Sequence, residues 1–188
     1  MMAQPAALYF DFTSPASAVA VPRLTALAVR GAHVSFVGID VLGLGIAIPA
    51  SDALRQACDT WRDEAQTHGI TLNTPVWQPP TLQAHLVTSC ADDATQASLW
   101  RTAVFRAYFT EHLPIDDADV LLSLATRCGF DEDRVASLLA ERTATHTLSQ
   151  QMLQNRKRGI GDVPILEVHG SFVSPHLRDA DLSQLLMV

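Results

Sequence analysis

One transition from strand to helix organises this chain, and it lies in Asp11-Phe12-Thr13-Ser14-Pro15-Ala16-Ser17. Ala7 to Phe12, with three apolar residues in a row at its centre, is typical of a short buried strand. A serine followed at once by a proline predicts a helix start, because serine caps a free backbone amide and proline suits the first helical position. Apolar residues then recur at helical spacing up to Gly31. His33 to Asp40, rich in Val, Phe and Ile, predicts a second strand, so the chain opens with a β-α-β unit and a parallel sheet.

The middle of the chain has helical periodicity, and between Ser51 and about Arg158 the sequence predicts no strand. Apolar residues recur there at three- and four-residue steps, and serine or aspartate stands where several of the helices are expected to begin. Pro75, Pro79 and Pro80 interrupt the chain after the first of these helices. The predicted helices run from Asp52 to His68, Ala94 to His112, Ile115 to Cys128 and Asp131 to Arg156.

Strand signals return after Gly159. Val163 to Val168 is rich in residues that favour strands, and Ser171 to Val173 can pair back onto it. Between them, His169-Gly170 predicts a two-residue hairpin turn. A short helix from about Arg178 to Leu186 closes the chain.

This order of elements is β-α-β, a helical block, then β-β-α. It predicts an α/β protein with a thioredoxin-like fold that is interrupted by an all-helical insert domain. We assign residues 1–50 and 158–188 to the thioredoxin-like domain and residues 51–157 to the insert. The length of 188 residues suits one domain that carries a large insert.

The composition excludes several classes of function. Apolar residues make up 48% of the chain, enough for a sizeable core, while 20 acids against 13 bases give a net charge of −7 and argue against nucleic-acid binding. The longest apolar run, Val34 to Ala50, is interrupted by Asp40, and the amino end lacks the positive region of a secretory signal. We therefore predict no membrane association and a cytoplasmic location. The low share of charged residues, 18%, favours burial of some surface in an oligomer.

The cysteines and histidines predict neither a redox centre nor a metal site. Cys58, Cys90 and Cys128 are widely spaced, and no Cys-x-x-Cys pair exists for dithiol exchange or zinc binding. The seven histidines include no pair separated by four residues on a helix. We expect Cys58 and Cys128 to act as small buried hydrophobic residues.

Ser14 is the first candidate functional residue, because it stands where the first strand gives way to the first helix. Open α/β sheets bind ligands at this edge, and the amino terminus of a helix favours an anion. A cysteine thiol placed there has its pKa lowered from about 8.5 to between about 3.5 and 7.5. If a thiol-bearing ligand docks here, the Ser14 hydroxyl can hold its sulfur as a thiolate; otherwise Ser14 is simply the helix cap. For the neighbouring Asp11 we expect structural hydrogen bonds rather than acid-base chemistry.

The second candidate is Gly159-Ile160-Gly161-Asp162-Val163-Pro164, which precedes the returning strand. A cis bond before Pro164 would turn the Val163 backbone toward a ligand, whereas a trans bond would make it an ordinary strand-start proline. Directly before this segment, Arg156-Lys157-Arg158 either attracts a carboxylate substrate or only complements the helix dipole. Trp77, which lies near two prolines, either packs in the insert or walls a substrate pocket.

Together these segments resemble the DsbA-like thioredoxin group, and more closely its branch of 2-hydroxychromene-2-carboxylate isomerase and kappa-class glutathione transferase. The resemblance extends over nearly the whole chain and implies that Ser14 is the family's catalytic serine and Pro164 its cis-proline. It also implies that serines replace the two cysteines of the redox members, so dithiol exchange is not expected. The motifs that carry it are Asp11-Phe12-x-Ser14-Pro15-x-Ser17, Phe105-Arg106-Ala107-Tyr108-Phe109 and Gly159-Ile160-x-x-Val163-Pro164.

The resemblance implies glutathione as cofactor, a homodimer, and an isomerase or transferase that acts on a small aromatic or conjugated acid. The family isomerase uses the glutathione thiol to open or rotate a conjugated ring ketone reversibly. The Val163 backbone is expected to pair with the cysteinyl part of glutathione. The residues that this resemblance assigns to cofactor binding are Ser14, Pro15, Ser17, Val163, Pro164 and Arg178.

Departures from the family's pattern leave a second hypothesis open. Ala16 and Ala18 stand where the family usually has a bulky aromatic residue. The patch that helps to hold glutathione lacks its asparagine and reads Gln78-Pro79-Pro80-Thr81-Leu82. In Ser174-Pro175-His176-Leu177-Arg178-Asp179, where the family grips the γ-glutamyl group, the arginine remains but the acid is displaced. The alternative is a catalytically silent DsbA-like protein that binds a thiol or a peptide.

Overall fold

The structure, a computed structural model, describes residues 6–187. Its strands are β1 Ala6–Phe10, β2 Val34–Gly38, β3 Ile48–Pro49, β4 Trp77–Gln78, β5 Ile165–Val168 and β6 Ser171–Val173. Its helices are α1 Pro15–Val29, α2 Asp52–Thr67, α3 Leu82–Val87, α4 Ala94–Phe109, α5 Ala118–Arg127, α6 Glu132–Ala140, α7 Arg142–Lys157 and α8 Asp179–Leu186, with a 3₁₀ turn at Thr88–Cys90.

The main sheet has the strand order β2-β1-β5-β6. Because β1 runs parallel to β2 and antiparallel to β5, the two halves of the thioredoxin-like unit meet at β1. Leu8, which is fully buried, lies opposite Phe36 on one side and Leu166 on the other. The turn between β5 and β6 has positive φ at both His169 (51°) and Gly170 (79°), as a two-residue hairpin requires. The predicted β-α-β and β-β-α units and the hairpin turn are confirmed.

One large apolar core extends from the sheet into the helical insert. Helix α1 contributes to it along most of its length because it packs against the sheet and against α2 and α4. Side chains alternate along a strand, so Tyr9 faces away from this core and packs with Ile39 and Ile160 in a small second cluster. None of the helices in residues 6–187 has the length and apolar character of a membrane span. The division of the chain at residues 50 and 158 stays a prediction.

The insert is not purely helical, so the prediction of no strand after Ser51 was wrong at one place. β4 pairs with β3 in an antiparallel ribbon that sets Ile48 opposite Gln78 and Pro49 opposite Trp77. Strands of two residues are too short to show alternation in a sequence. Their pairing depends on a contact between segments about thirty residues apart in the chain, which no local pattern records.

Two predicted helix ends also move inward, for local reasons. α4 stops at Phe109 instead of His112, because the chain turns back there with φ of 55° at His112 and the Leu113 amide donates to the Ala107 carbonyl at 2.8 Å. α5 begins at Ala118 instead of Ile115, because the carboxylate of the preceding Asp117 caps its first amides.

A buried carboxylate, that of Asp11, holds the turn between β1 and α1. Its Oδ1 accepts hydrogen bonds from the amide (3.0 Å) and hydroxyl (3.3 Å) of Thr13, and its Oδ2 accepts one from the Val41 amide at 2.6 Å. The Asp11 amide donates to the Ser17 hydroxyl at 3.3 Å. One residue therefore connects the end of β1, the start of α1 and the loop after β2, and its predicted structural role is confirmed.

Burial raises the pKa of Asp11 from 3.8 to about 6, and the nearby charge of Asp40 adds to the shift. The amides of Thr13 and Val41 oppose it, because they favour the ionised form. Since the folded-state pKa lies above the unfolded one, the folded protein binds this proton more tightly. The resulting stabilisation is present below about pH 4 and is lost as the pH rises through 6.

We predict that the stability advantage of the wild type over Asp11→Asn falls by about 3 kcal/mol between pH 3.5 and pH 7, since only the wild type titrates at this position. Urea unfolding of both proteins across this range measures the difference. Asp63→Asn, which removes an exposed carboxylate, is the matched control and is expected to show a much smaller change. A difference between wild type and Asp11→Asn that does not vary with pH would contradict the shift.

Candidate functional site

Ser14 and Val163, which are 149 residues apart in sequence, are in contact. The Ser14 hydroxyl donates to the Val163 carbonyl at 3.2 Å, and it accepts from the Ser17 amide at 3.2 Å as the cap of α1. The peptide bond between Val163 and Pro164 is cis, as predicted. The two segments that the sequence analysis singled out therefore form one site at the carboxyl end of β1 and the amino terminus of α1.

The exposed part of this site offers groups that suit an anionic ligand. Ser14, Ala16, Val163 and Pro164 are each half-buried, so a ligand can reach them. Among the described residues, the amides of Ala16 and Val163 have no hydrogen-bond partner. The first turn of α1 adds the positive end of the helix dipole. A thiolate beside Ser14 would meet a hydroxyl donor, a free amide and this dipole at once.

Pro15 and Ser17 shape the site from inside. Both are buried, and Pro15 occupies the first helical position. The Ser17 hydroxyl accepts a hydrogen bond from the Asp11 amide. Ser17 therefore contacts Ser14 through its backbone amide, which donates to the Ser14 hydroxyl. Direct contact of Pro15 or Ser17 with a cofactor stays a prediction.

Arg178 is not brought to Ser14 by any contact in the described structure. Its guanidinium makes a two-point ion pair with Asp181, at 2.8 and 3.0 Å. The segment around it is attached to the middle of α1, where Arg23 donates to the Leu177 carbonyl and to Asp179, both at 2.7 Å. Nine residues of helix separate Arg23 from Ser14, a rise of about 13 Å. Arg178, Asp179 and Asp181 thus each make an ion pair within the protein, and these are surface pairs, since the Arg178 side chain is 85% exposed.

The basic segment before the Val163 loop is also largely engaged. Arg156 donates to the Asp40 carbonyl, which ties α7 to the loop after β2. Arg158 pairs with Glu167 at 2.6 Å and donates to the Tyr9 hydroxyl at 3.1 Å. The Tyr9 hydroxyl in turn donates to Glu167 at 2.8 Å; this bond, and then the Arg158 contact, lower the pKa of Glu167, whereas burial raises that of Tyr9. Two of the three cations therefore make structural contacts, and attraction of a carboxylate substrate by the segment stays a prediction.

Trp77 lines a cavity of about 610 Å³ instead of packing in the core, with 56% of its surface exposed. Pro79 and Tyr108 line it too, and the Tyr108 hydroxyl donates to the Trp77 carbonyl at 3.0 Å. The intervening Gln78 points the other way and donates to the Thr13 hydroxyl at 3.2 Å. None of the residues that line this cavity belongs to the Ser14 turn or to the Val163 loop.

Gln78 is the contact that sequence reasoning missed. Gln78 begins the Gln78–Leu82 patch, in which the family's asparagine is absent. This departure from the family's pattern is the sequence feature that could have pointed to the contact. The amide of Gln78 links the insert to the turn that carries Ser14.

The cysteines do not take part in this site. Cys58 and Cys90 are buried and Cys128 is half-buried, and all three are free thiols. Burial raises the pKa of Cys58 to about 11 and also raises those of Cys90 and Cys128, so none is an activated nucleophile. Residues 6–187 contain no cluster of side chains suited to a metal ion.

Comparison with solved structures finds several relatives of the same fold. A 2-hydroxychromene-2-carboxylate isomerase aligns with a TM-score of 0.72 and 23% identity over 90% of this chain and 88% of its own. A probable DsbA oxidoreductase from Streptomyces coelicolor aligns with a TM-score of 0.78 and 18% identity, covering 96% and 87% of the two chains. The cytosolic disulfide reductase DsbM from Pseudomonas aeruginosa, solved with GSH, aligns with a TM-score of 0.66 and 16% identity, covering 98% and 100%.

No curated protein matches the sequence. The sequence profile of the DSBA-like thioredoxin domain, however, matches residues 7–186, which is nearly the whole chain. This match agrees with the sheet order, the helical insert and the cis-proline described above. The chain belongs to the DSBA-like thioredoxin domain family.

Proposed function

We propose that this protein binds glutathione at the Ser14–Val163 site and acts as an isomerase or transferase on a small aromatic or conjugated acid. The observation that carries the proposal is the position of the Ser14 hydroxyl. It caps α1, and it donates at 3.2 Å to the carbonyl of Val163, the residue before the cis-proline. The similarity in fold to a 2-hydroxychromene-2-carboxylate isomerase supports the isomerase assignment. The cytoplasmic location and the homodimer belong to the same proposal.

The residues present fit the thiol end of glutathione. The free Val163 amide is available to the cysteinyl backbone, and the free Ala16 amide lies two residues after Ser14 in the first turn of α1. When glutathione is bound, its thiolate supplies the nucleophile. Ser14 would then donate to the sulfur instead of to the Val163 carbonyl, and that carbonyl would be free to accept a hydrogen bond from the ligand. A hydrogen bond from Ser14 would stabilise the negative charge on the sulfur, both in the bound thiolate and when the sulfur leaves the substrate again.

The γ-glutamyl end fits less well, and this favours a second candidate function. Arg178 is paired with Asp181, and Asp179 with Arg23 of α1, so the charged side chains of the segment that grips this group in the family already have partners here. A catalytically silent protein that binds a thiol or a peptide through the Ser14 site needs no such grip. Dithiol exchange, in contrast, needs sulfur at positions 14 and 17, where this chain has serines.

We predict that Ser14→Cys places an acidic thiol at the site, with its pKa below 8.5 and in the range of about 3.5 to 7.5. The amino terminus of α1 and its free amide stabilise the thiolate whether or not glutathione binds. The rise in absorbance at 240 nm with pH, taken as the difference from wild type, measures the pKa. Ser171→Cys, on an exposed strand, is the control and is expected to titrate near 8.5. An unshifted thiol at position 14 would show that this end of the helix does not favour an anion.

We also predict that Ser14→Ala lowers isomerase or transferase turnover by about 10²-fold, because it removes the donor to the sulfur. Calorimetric titration with glutathione and rate measurements on conjugated ring acids test this, with Ser171→Ala as the control. Unchanged glutathione affinity and turnover in Ser14→Ala would refute the role of the hydroxyl. If millimolar glutathione gives no heat with the wild type, the silent thiol- or peptide-binding protein is the correct assignment.

A further inference from the structure

The cavity beside the β3–β4 ribbon is separate from the residues of the proposed thiol site. Its volume of about 610 Å³ is that of a small-molecule pocket, since such pockets measure about 300–1,000 Å³. One wall comes from the ribbon and the prolines around it, and the other comes from the end of α4 and the loop that leads to α5. A ligand bound here therefore lies against the helical insert.

Hydrogen bonds within the protein hold both walls of this cavity. The Tyr108 hydroxyl of α4 donates to the Trp77 carbonyl at 3.0 Å, and Trp77 is also paired with Pro49 in the ribbon. In the loop after α4, the Leu113 amide donates to the Ala107 carbonyl at 2.8 Å. The cavity therefore does not need a ligand to take its shape, and little ordering entropy is lost when a ligand binds.

The indole ring of Trp77 is open to a ligand in this cavity. It is 56% exposed, whereas Trp100 is fully buried and Trp61 is half-buried with its ring stacked on His176. Within residues 6–187, no aromatic ring packs on Trp77 and no cation lies over it. The face of an aromatic ring carries partial negative charge, and indole attracts a cation more strongly than the rings of Tyr or Phe do.

The Asp116 carboxylate adds a full negative charge to the same cavity. Asp116 is half-buried in a turn that is closed by a hydrogen bond from the Asp117 amide to the Pro114 carbonyl at 3.1 Å. Its own side chain has no ion pair with any described residue. Among the described residues, no lysine or arginine lines the cavity. The charge of Asp116 is therefore available to a ligand.

We propose that this cavity binds a small organic cation, an ammonium ion with apolar or aromatic substituents. The charged nitrogen lies over the Trp77 ring and near the Asp116 carboxylate, and the substituents contact the prolines and Leu113. The net charge of −7 on the whole chain also favours the approach of a cation. Asp116 repels the conjugated acid of the proposed function, so this site goes beyond that function and does not depend on it.

Three probes that carry the same ring test the preference for positive charge. In neutral buffer phenyltrimethylammonium is a cation, N,N-dimethylaniline is uncharged and benzoate is an anion. With the three tryptophans labelled by ¹⁵N, we expect the cation to shift the indole N–H resonance of Trp77 and to leave those of Trp61 and Trp100 in place. The resonance of Trp77 is the one that is missing from Trp77→Phe.

The affinity for phenyltrimethylammonium is expected to exceed that for dimethylaniline by on the order of ten-fold, with benzoate the weakest ligand. A Trp77 resonance that does not respond to the cation at millimolar concentration would overturn the proposal. So would equal affinities for the cation and the uncharged compound. Binding of benzoate in preference to the cation would assign the cavity to an acid instead.

Asp116→Asn tests the carboxylate, because asparagine keeps the shape of aspartate and removes its charge. This variant is expected to lose about five-fold in affinity for phenyltrimethylammonium and to keep its affinity for dimethylaniline. Asp63→Asn, on the exposed side of α2 and outside the cavity, removes the same charge and is the control. Equal losses in the two variants would show that only the net charge attracts the cation, and this would contradict the site.

Discussion

The buried carboxylate of Asp11 joins three parts of the chain that are far apart in sequence. Its oxygens hold the turn that carries Ser14 and the loop after β2, and its own amide is held by Ser17 in the first turn of α1. Two further hydrogen bonds, from Gln78 to Thr13 and from Ser14 to Val163, attach the same turn to the insert and to the loop before β5. The constraint has a cost, since burial disfavours the charge and raises the pKa of Asp11. Because the chain has a carboxylate at this buried position, we infer that fixing the turn matters more than the stability lost to burial.

The same turn explains why Ser14 is both a structural cap and a candidate functional group. A serine hydroxyl has one proton to donate and two lone pairs, and here it accepts from Ser17 while donating to Val163. The donated bond is the one a ligand can take over without disturbing the cap. The helix therefore keeps its amino terminus ordered whether or not a thiol is present. The two interpretations of Ser14 that the sequence left open are therefore compatible, because a hydroxyl that caps the helix still has its proton to donate.

Much of the fold could be predicted because its signals are local. The Ser-Pro start of α1, the β-rich segments and the His-Gly turn each lie within a few residues, and the structure has all of them. The β3–β4 ribbon could not be predicted, since two-residue strands have no periodicity and pair only through a distant contact. For the site, the contact of Ser14 with Val163 was implied only by the family resemblance. The ion pair of Arg178 with Asp181 was missed, because a resemblance carries over a residue type and not its neighbours.

The sequence by itself determined the order of strands and helices, the serines that stand in place of a dithiol, and the excess of acidic charge. Each of these depends on residue type or on short-range spacing, which the chain carries whatever its fold. Only the tertiary structure decided which polar groups have partners. In the described structure Arg178 pairs with Asp181, and the Ala16 amide beside Ser14 has no hydrogen-bond partner. Near β2, His85 Nε2 and Thr88 Oγ1 are buried and also have none. The reason is physical: desolvation and hydrogen bonding depend on the surroundings of an atom, and distant segments supply those surroundings only when the chain folds.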